Sequence, residues 1–388
     1  MKRGGRSPLW APPFCSLAAF SLPSHARIAA FLVHFHTEVL RHSSERFSFR
    51  HGSVGNFFFA GARLFFRSLE AAIFVFSRVA RIPGGSDVLP AVCTEERLVL
   101  AALLADGTVL RGQNEISHPT ARPPSAAAAP SPGPLAVDKG AAGRAPLPAP
   151  IVRVYYAPSD RLHTAVEGEG LAGLSLLGRQ AGAGAPPHQQ QAAAAAAVPG
   201  GELSPPANPR ALAALRAADA VVYGMGSLYT SVLPALILEG VGEAVAGCGG
   251  AKILLLNGGV DRETGAALQP SPPAPAAGPP AAAKPMDAVD VVDAVARALA
   301  RARPGDAAAA AAATPRDLSR YVSAAFYPAG TTIAVDAAAL AARGVLTVVE
   351  VASRPAPGGG GGVVYEPDAL VDAIGAAVAA HRNADGAP

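Results

Sequence analysis

Apolar and polar positions divide the chain into patterned segments separated by featureless ones. Gly55 to Val79 is almost continuously apolar, and its charged residues Arg63, Arg67, Glu70 and Arg78 fall on one narrow helical face. That pattern predicts one long, mostly buried helix. Arg97 to Gly112 sets Asp106-Gly107 between two apolar runs. Asp-Gly supplies the positive φ angles of a tight turn, so the segment predicts a β-hairpin. Ile151 to Tyr156 is a short run rich in β formers.

The segment from Asn208 to Asn257 is the most informative. Asn208-Pro209 reads as a helix start, because Asn caps free backbone N–H groups and Pro fits the first helical position. The helix is expected to reach about Ala217, followed by a buried strand at Asp219 to Tyr223. Gly224-Met225-Gly226-Ser227 makes a turn, and Ser231 or a neighbour caps the next helix, with Pro234 in its first turn and an end near Ala246. Lys252 to Leu256 is a second buried strand. Helices alternating with short apolar strands imply a parallel sheet with helices on both faces. Further on, the pattern predicts a helix over Val289 to Ala302, strands at Thr331 to Val335 and Thr347 to Val351, and a closing helix from Pro367 to Ala380.

Composition changes this picture mainly by shortening it. Alanine, proline and glycine concentrate in tracts at 119–150, 178–206, 269–285, 307–313 and 355–362. Such tracts bury little apolar surface and read as long surface loops within one α/β domain. The net charge is +3, with no Lys/Arg block beside an aromatic ladder, which argues against a nucleic-acid partner. Cys15, Cys93 and Cys248 lie far apart, so neither a zinc site nor a disulfide framework is indicated, and a reducing, cytoplasmic setting is expected. Residues 1–37 carry four Lys/Arg residues and no acid, which resembles an organelle transit peptide, with a plastid as one destination, and Phe14 to Leu22 resembles a weak signal-peptide core; a misplaced gene start is the competing reading. Phe57 to Phe76, the most apolar stretch, is interrupted by Arg63, Arg67 and Glu70, so no membrane span or membrane partner is expected.

The candidate chemistry lies in the turn after the first strand of the 208–257 segment. Strand, Gly-x-Gly-Ser, helix lets the backbone approach a ligand and points unpaired N–H groups at it, an arrangement that attracts phosphate. Ser227, Thr230 and Ser231 add hydroxyl donors. Tyr229 stands where a dinucleotide fingerprint needs its third Gly, and neither a Walker lysine nor the second Gly of a nucleophile elbow is present. Taken alone, phosphate binding and a purely structural turn are evenly matched. His34, His36, His42 and His51 lack a carboxylate or Cys partner at metal-ligand spacing. Asp261-Arg262-Glu263-Thr264 either faces the same pocket or forms a salt-bridged turn, and Arg63 and Arg67 either reach a phosphate or snorkel to solvent.

Several segments together resemble the CofD-like (2-phospho-L-lactate transferase) family. They are Ser53-Val54-Gly55-Asn56 opening a helix, Leu89-Pro90-Ala91 ahead of the Ala105 to Val109 hairpin, and Asn208-Pro209 followed by Gly224 to Pro234. The run Gly112 to Pro119 resembles the family's eukaryotic branch. The resemblance covers 36–388 and leaves 1–35 outside it. It implies a doubly wound, Rossmann-like three-layer α/β fold holding a nucleotide diphosphate. The site residues it implies are Gly55, Asn56, Asn208, Gly224, Gly226, Ser227, Leu228, Tyr229, Thr230 and Ser231. The activity it implies is either phospholactyl transfer from a guanylyl-diphospho-lactate donor with magnesium, or non-catalytic nucleotide-sugar binding like that of the bacterial gluconeogenesis factor. A homodimer is compatible with it. The family's Gly-Gly-Gly-Thr-Gly and Asp-Asp-Gly-Gly-Ser loops are absent from residues 1–50. The expectation is therefore a truncated gene model whose magnesium-binding aspartates are missing.

Overall fold

The computed structural model describes residues 24–42, 53–94, 96, 98–117, 147–158, 201–265, 284–301, 318–357 and 362–385. The chain divides into two compact units, Met1–Pro90 and Ala91–Pro388. The low-complexity tracts lie mostly outside the described residues. Leu147 and Ala149, at the end of the first tract, are fully buried.

The first unit holds α1 (Ser24–His42), α2 (Val54–Phe66) and α3 (Leu69–Val79). Helix α1 overlaps the stretch read as transit-like. Ser53 caps α2 by accepting the Asn56 N–H at 3.1 Å. Phe31 meets Phe58 edge-on at 5.4 Å, and Phe35 stacks on Phe57 at 5.2 Å. A Cβ on Gly61 would lie 2.1 Å from the Phe31 carbonyl oxygen, so only glycine allows α1 and α2 to approach there. The single helix expected over 55–79 is two helices. Arg67 adopts a left-handed conformation (φ 54°) that ends α2, and Ser68 then caps α3 by accepting the Ala71 N–H. Nor is the segment mostly buried. Phe58, Ala62, Ala72 and Val79 are buried, but Leu64, Phe65, Phe66, Leu69 and Phe74 are exposed. Within the unit, three helices cannot cover a segment that is apolar nearly all round.

The second unit opens with the hairpin, β1 (Leu98–Leu104) and β2 (Val109–Arg111). Asp106 accepts the Thr108 N–H at 2.9 Å and Gly107 takes φ 84°, as the Asp-Gly signal predicts. β3 (Ile151–Pro158) pairs antiparallel with β1, giving the order β2-β1-β3, and the short helix α4 (Gln113–Ser117) follows β2. Glu202 forms ion pairs with Arg153 on β3 and with Arg301. Burial, with Arg153 nearby, pulls the Arg301 guanidinium down to about 10.

Four strands make the parallel sheet, in the order β4 (Ala220–Tyr223), β5 (Ala251–Leu255), β6 (Ala324–Pro328), β7 (Thr347–Val351). The expected α5 (Pro209–Arg216) precedes β4, with Asn208 as its cap. A π-helix at Leu228–Val232, α6 (Leu233–Leu236) and α7 (Val241–Ala246) lie between β4 and β5. α8 (Ala288–Leu299) lies between β5 and β6, and α9 (Ala337–Ala341) between β6 and β7. A small antiparallel pair, β8 (Ser353–Pro355) and β9 (Val363–Tyr365), precedes α10 (Pro367–Asp385). One core joins Val221, Tyr223 and Leu254 to α6, α7 and α8. A second joins Ile253, Leu255 and Phe326 to residues of α10. The sheet therefore carries helices on both faces, as the alternation implies.

Three expectations are corrected. The helix after the Gly-x-Gly-Ser turn starts at Leu228, not Ser231, ends at Leu236, and resumes at Val241 after Gly240, where φ is 89°. The strand expected at Thr331 to Val335 is a loop, in which Thr331 Oγ1 donates to Asn257 O and accepts the Ile333 N–H. The strand is instead Ala324–Pro328, whose alanines hide its β character from propensity. Finally, the four parallel strands follow one another in sequence order, so the order reversal of a doubly wound sheet does not occur among the described strands.

Candidate functional site

Strand β4 is only four residues long, with Val221 and Tyr223 turned into the helical core. The Tyr223 hydroxyl donates to Tyr321 O at 2.7 Å, and burial pushes its pKa up. Just past the strand, Gly224 and Met225 are exposed. Asn257, at the end of β5, grips the turn with both amide atoms: its Oδ1 accepts the Gly226 N–H at 3.2 Å and its Nδ2 donates to Gly226 O at 2.8 Å. Thr331 Oγ1, just past β6, donates to Asn257 O at 2.9 Å. The carboxyl ends of three neighbouring parallel strands are thus tied into one ledge, where open α/β sheets bind ligands.

The helix that follows begins with a wide turn. Ser231 N–H and Val232 N–H both donate to Ser227 O, at 2.8 and 3.1 Å. Ser227 Oγ is buried with no hydrogen-bond partner among the described residues. Leu228 and Tyr229 turn their side chains into the core, so only their backbone faces the turn. The Tyr229 hydroxyl donates to Ile151 O at 3.3 Å, and burial pushes its pKa up to about 12. A small cleft beside the turn is lined by Gly224, Gly226, Asn257, Thr264 and Ile333 among others.

The 261–264 turn faces this site. Glu263 is buried, and its carboxylate accepts from the Tyr229 N–H at 3.1 Å, Thr230 Oγ1 at 2.8 Å and Ser117 Oγ at 2.6 Å. Asp261 Oδ1 closes the turn by accepting Glu263 N–H, Thr264 N–H and Thr264 Oγ1 at 2.9, 3.0 and 2.9 Å. Arg262 donates to the Glu115 and Ile116 carbonyls at α4. The turn is therefore held by hydrogen bonds to backbone and hydroxyl groups.

The sequence-predicted residues fall in three places. Gly224, Gly226, Ser227, Leu228, Tyr229, Thr230 and Ser231 form one continuous turn. Asn208 is buried at the head of α5, its Oδ1 accepting the Arg210 N–H and its own N–H donating to Ala91 O. Gly55 and Asn56 lie exposed in the first turn of α2, in the first unit. His34 and His36 lie on α1; His51 lies outside the described residues. Sequence reasoning left Glu263 undecided, and gave Asn257 and Ser117 no role at the turn. Asn at a strand end is a visible signal, but nothing in sequence brings Ser117 to Glu263, 146 residues away.

The magnesium implied by resemblance has no ligand set among the described residues. No group of three or more His, Cys, Asp or Glu suited to a metal occurs among the described residues. The two carboxylates nearest the turn, Asp261 and Glu263, are already engaged by internal donors, so the residues present do not fit a magnesium cage.

Comparison with known proteins decides the lineage. Residues 21–301 match the family described as 2-phospho-L-lactate transferase CofD. The chain belongs to the CofD family. It is 31% identical over 251 residues to "Uncharacterized protein YNL011C" of Saccharomyces cerevisiae, covering 60% of this chain. The chain spans about half, 54%, of that curated relative's length. Two crystal structures of protein BH3568 from Bacillus halodurans, one titled as a member of the UPF0052 family, align with TM-scores of 0.48 and 0.49 at 16% and 17% identity. They cover 91% and 90% of this chain, and 83% and 82% of theirs. Among the described residues of this CofD-family chain, no helix is long and apolar enough to cross a membrane.

Proposed function

We propose that this CofD-family chain binds the phosphates of a nucleotide diphosphate or nucleotide sugar at the Gly224–Ser231 turn. The observation that carries the reading is the turn itself. Gly224 leaves the backbone bare at the carboxyl end of a parallel strand, Asn257 fixes Gly226 beside it, and Ser227 Oγ is a buried hydroxyl with no partner among the described residues. A hydroxyl cut off from water without a partner costs about 1–3 kcal/mol, and a phosphate oxygen would remove that cost.

In its catalytic form the reading is phospholactyl-type transfer from a nucleotide diphosphate donor. The turn would hold the diphosphate through backbone N–H groups and hydroxyls and so stabilise charge developing on it. Magnesium belongs to this form as the cofactor that the family resemblance implies; in the free protein Asp261 and Glu263 accept internal hydrogen bonds instead. The second reading is a non-catalytic nucleotide-sugar-binding regulator, which asks of the turn only that it hold the phosphates.

The experiment is a titration of the full chain with GDP and with UDP-N-acetylglucosamine, followed by an assay of GMP release from a guanylyl-diphospho donor with magnesium present. Saturable GDP binding with GMP release supports transfer. Saturable UDP-sugar binding without turnover supports the regulator. No binding of either ligand overturns both.

A further inference from the structure

Glu263 is hard to reconcile with a turn that only awaits a ligand. Three donors from two distant segments converge on its carboxylate: the Tyr229 N–H and Thr230 hydroxyl from the turn, and the Ser117 hydroxyl from α4. Ser117 Oγ and Thr230 Oγ1 are themselves 3.0 Å apart, which closes a compact knot. Glu263 is 6% exposed and Thr230 7% exposed, so water competes little for these bonds. A backbone N–H and two hydroxyls around one buried carboxylate make a cradle that suits an oxyanion of any kind, and Glu263 fills it with the protein's own. Ser227, at the other side of the same turn, keeps its buried hydroxyl without a partner among the described residues. One part of the turn is thus satisfied internally, and the Ser227 hydroxyl is not satisfied by any described residue.

We propose that Glu263 is a built-in competitor for the phosphate turn: its carboxylate holds the Tyr229 and Thr230 donors in the free protein, and a bound phosphate takes them over as Glu263 is displaced. This rests on the phosphate-binding reading above and adds its regulation. Two anions cannot share the cradle, because like charges within a few ångströms in a water-poor site repel strongly. Binding is therefore an exchange of anions, and apparent affinity is set by how firmly Glu263 is held. Ser117 supplies much of that hold from outside the turn. Anything that moves α4 or the hairpin before it changes affinity without touching the ligand.

The test compares GDP affinity of the full-length wild type, Glu263→Gln and Ser117→Ala, with inorganic pyrophosphate as a second probe. Gln keeps an acceptor oxygen for the Tyr229 N–H, presents its NH2 to the Thr230 and Ser117 hydroxyls, which can accept, and removes the competing charge. Glu263→Gln is expected to bind both probes on the order of tenfold more tightly, the factor given by about 1.4 kcal/mol. Ser117→Ala changes no residue of the turn, removes the Ser117 contacts to Glu263 and to the Thr230 hydroxyl, and is expected to bind about threefold more tightly, by the same relation. A supporting role alone gives the opposite sign, with equal or weaker binding in both variants, and that result overturns the proposal. If Glu263→Gln does not fold, Ser117→Ala alone decides by its sign. Wild-type binding with no gain in either variant sinks the competitor and leaves the phosphate-binding reading standing. No binding by any of the three proteins sinks both.

Discussion

Asn257 is the residue on which the ledge depends. Its amide makes two hydrogen bonds to Gly226, and its carbonyl takes a third from Thr331. Asn257→Ala removes both bonds to the turn and is expected to cost about 2 kcal/mol, read as a lower midpoint in urea, together with a large loss of GDP affinity. Ser227→Ala separates binding from folding. It deletes a buried hydroxyl that has no protein partner among the described residues, so stability should hold or rise slightly while phosphate affinity falls. A stable variant with undiminished affinity would show that Ser227 takes no part in binding. The turn itself was legible at residue level. Gly224, Gly226, Ser227 and Thr230 stand out because glycines and hydroxyls cluster between a strand and a helix. Ser117 does not, and the choice between pocket and turn for Glu263 stayed open, because their meeting depends on a tertiary contact that no local pattern encodes.

At the scale of elements, signals settled within a few residues decide the structure, and those that compete along the chain do not. The Asp106-Gly107 turn and the Asn208 cap formed as expected, since each is decided within a few residues. The helix expected over 55–79 failed because Ser68 offers a cap inside an apolar run, and hydrophobic periodicity is blind to caps. Arg67 holds a left-handed conformation that glycine adopts without strain. Arg67→Gly is therefore expected to stabilise the α2–α3 junction by up to about 1 kcal/mol, seen as slower amide exchange around Ser68. A rise in exchange would mean that the Arg67 side chain, not its backbone, secures the break. The Glu202 link between β3 and the end of α8 gives a second element-scale outcome. Glu202→Gln leaves two largely buried guanidiniums without their carboxylate and is expected to cost about 3 kcal/mol, measured by denaturant unfolding.

At the scale of the molecule, the alternation of helix and strand correctly announced a parallel sheet with helices on both faces. Strand order was not legible, because alternation says which strands are parallel and not which lie side by side. Burial of tyrosines also leaves a molecular signature. The hydroxyls of Tyr223, Tyr229 and Tyr365 have pKa values raised mainly by burial, Tyr229 to about 12. In the unfolded chain they ionise near pH 10, while the folded protein keeps them neutral, so the unfolded state binds fewer protons above that point. Stability should therefore fall as pH rises from about 10 to about 12. An unfolding free energy that stays flat over that window would contradict the burial of these hydroxyls.

The central claim is that the Gly224–Ser231 turn of this CofD-family chain holds the phosphates of a nucleotide. Calorimetric titration of GDP and UDP-N-acetylglucosamine into the full chain and its Ser227→Ala variant tests it most directly. The account predicts saturable one-site binding of at least one of them to the wild type, and binding weakened at least several-fold in a variant that melts at the same temperature. Equal affinity in the two proteins, or no heat of binding in either, would contradict it.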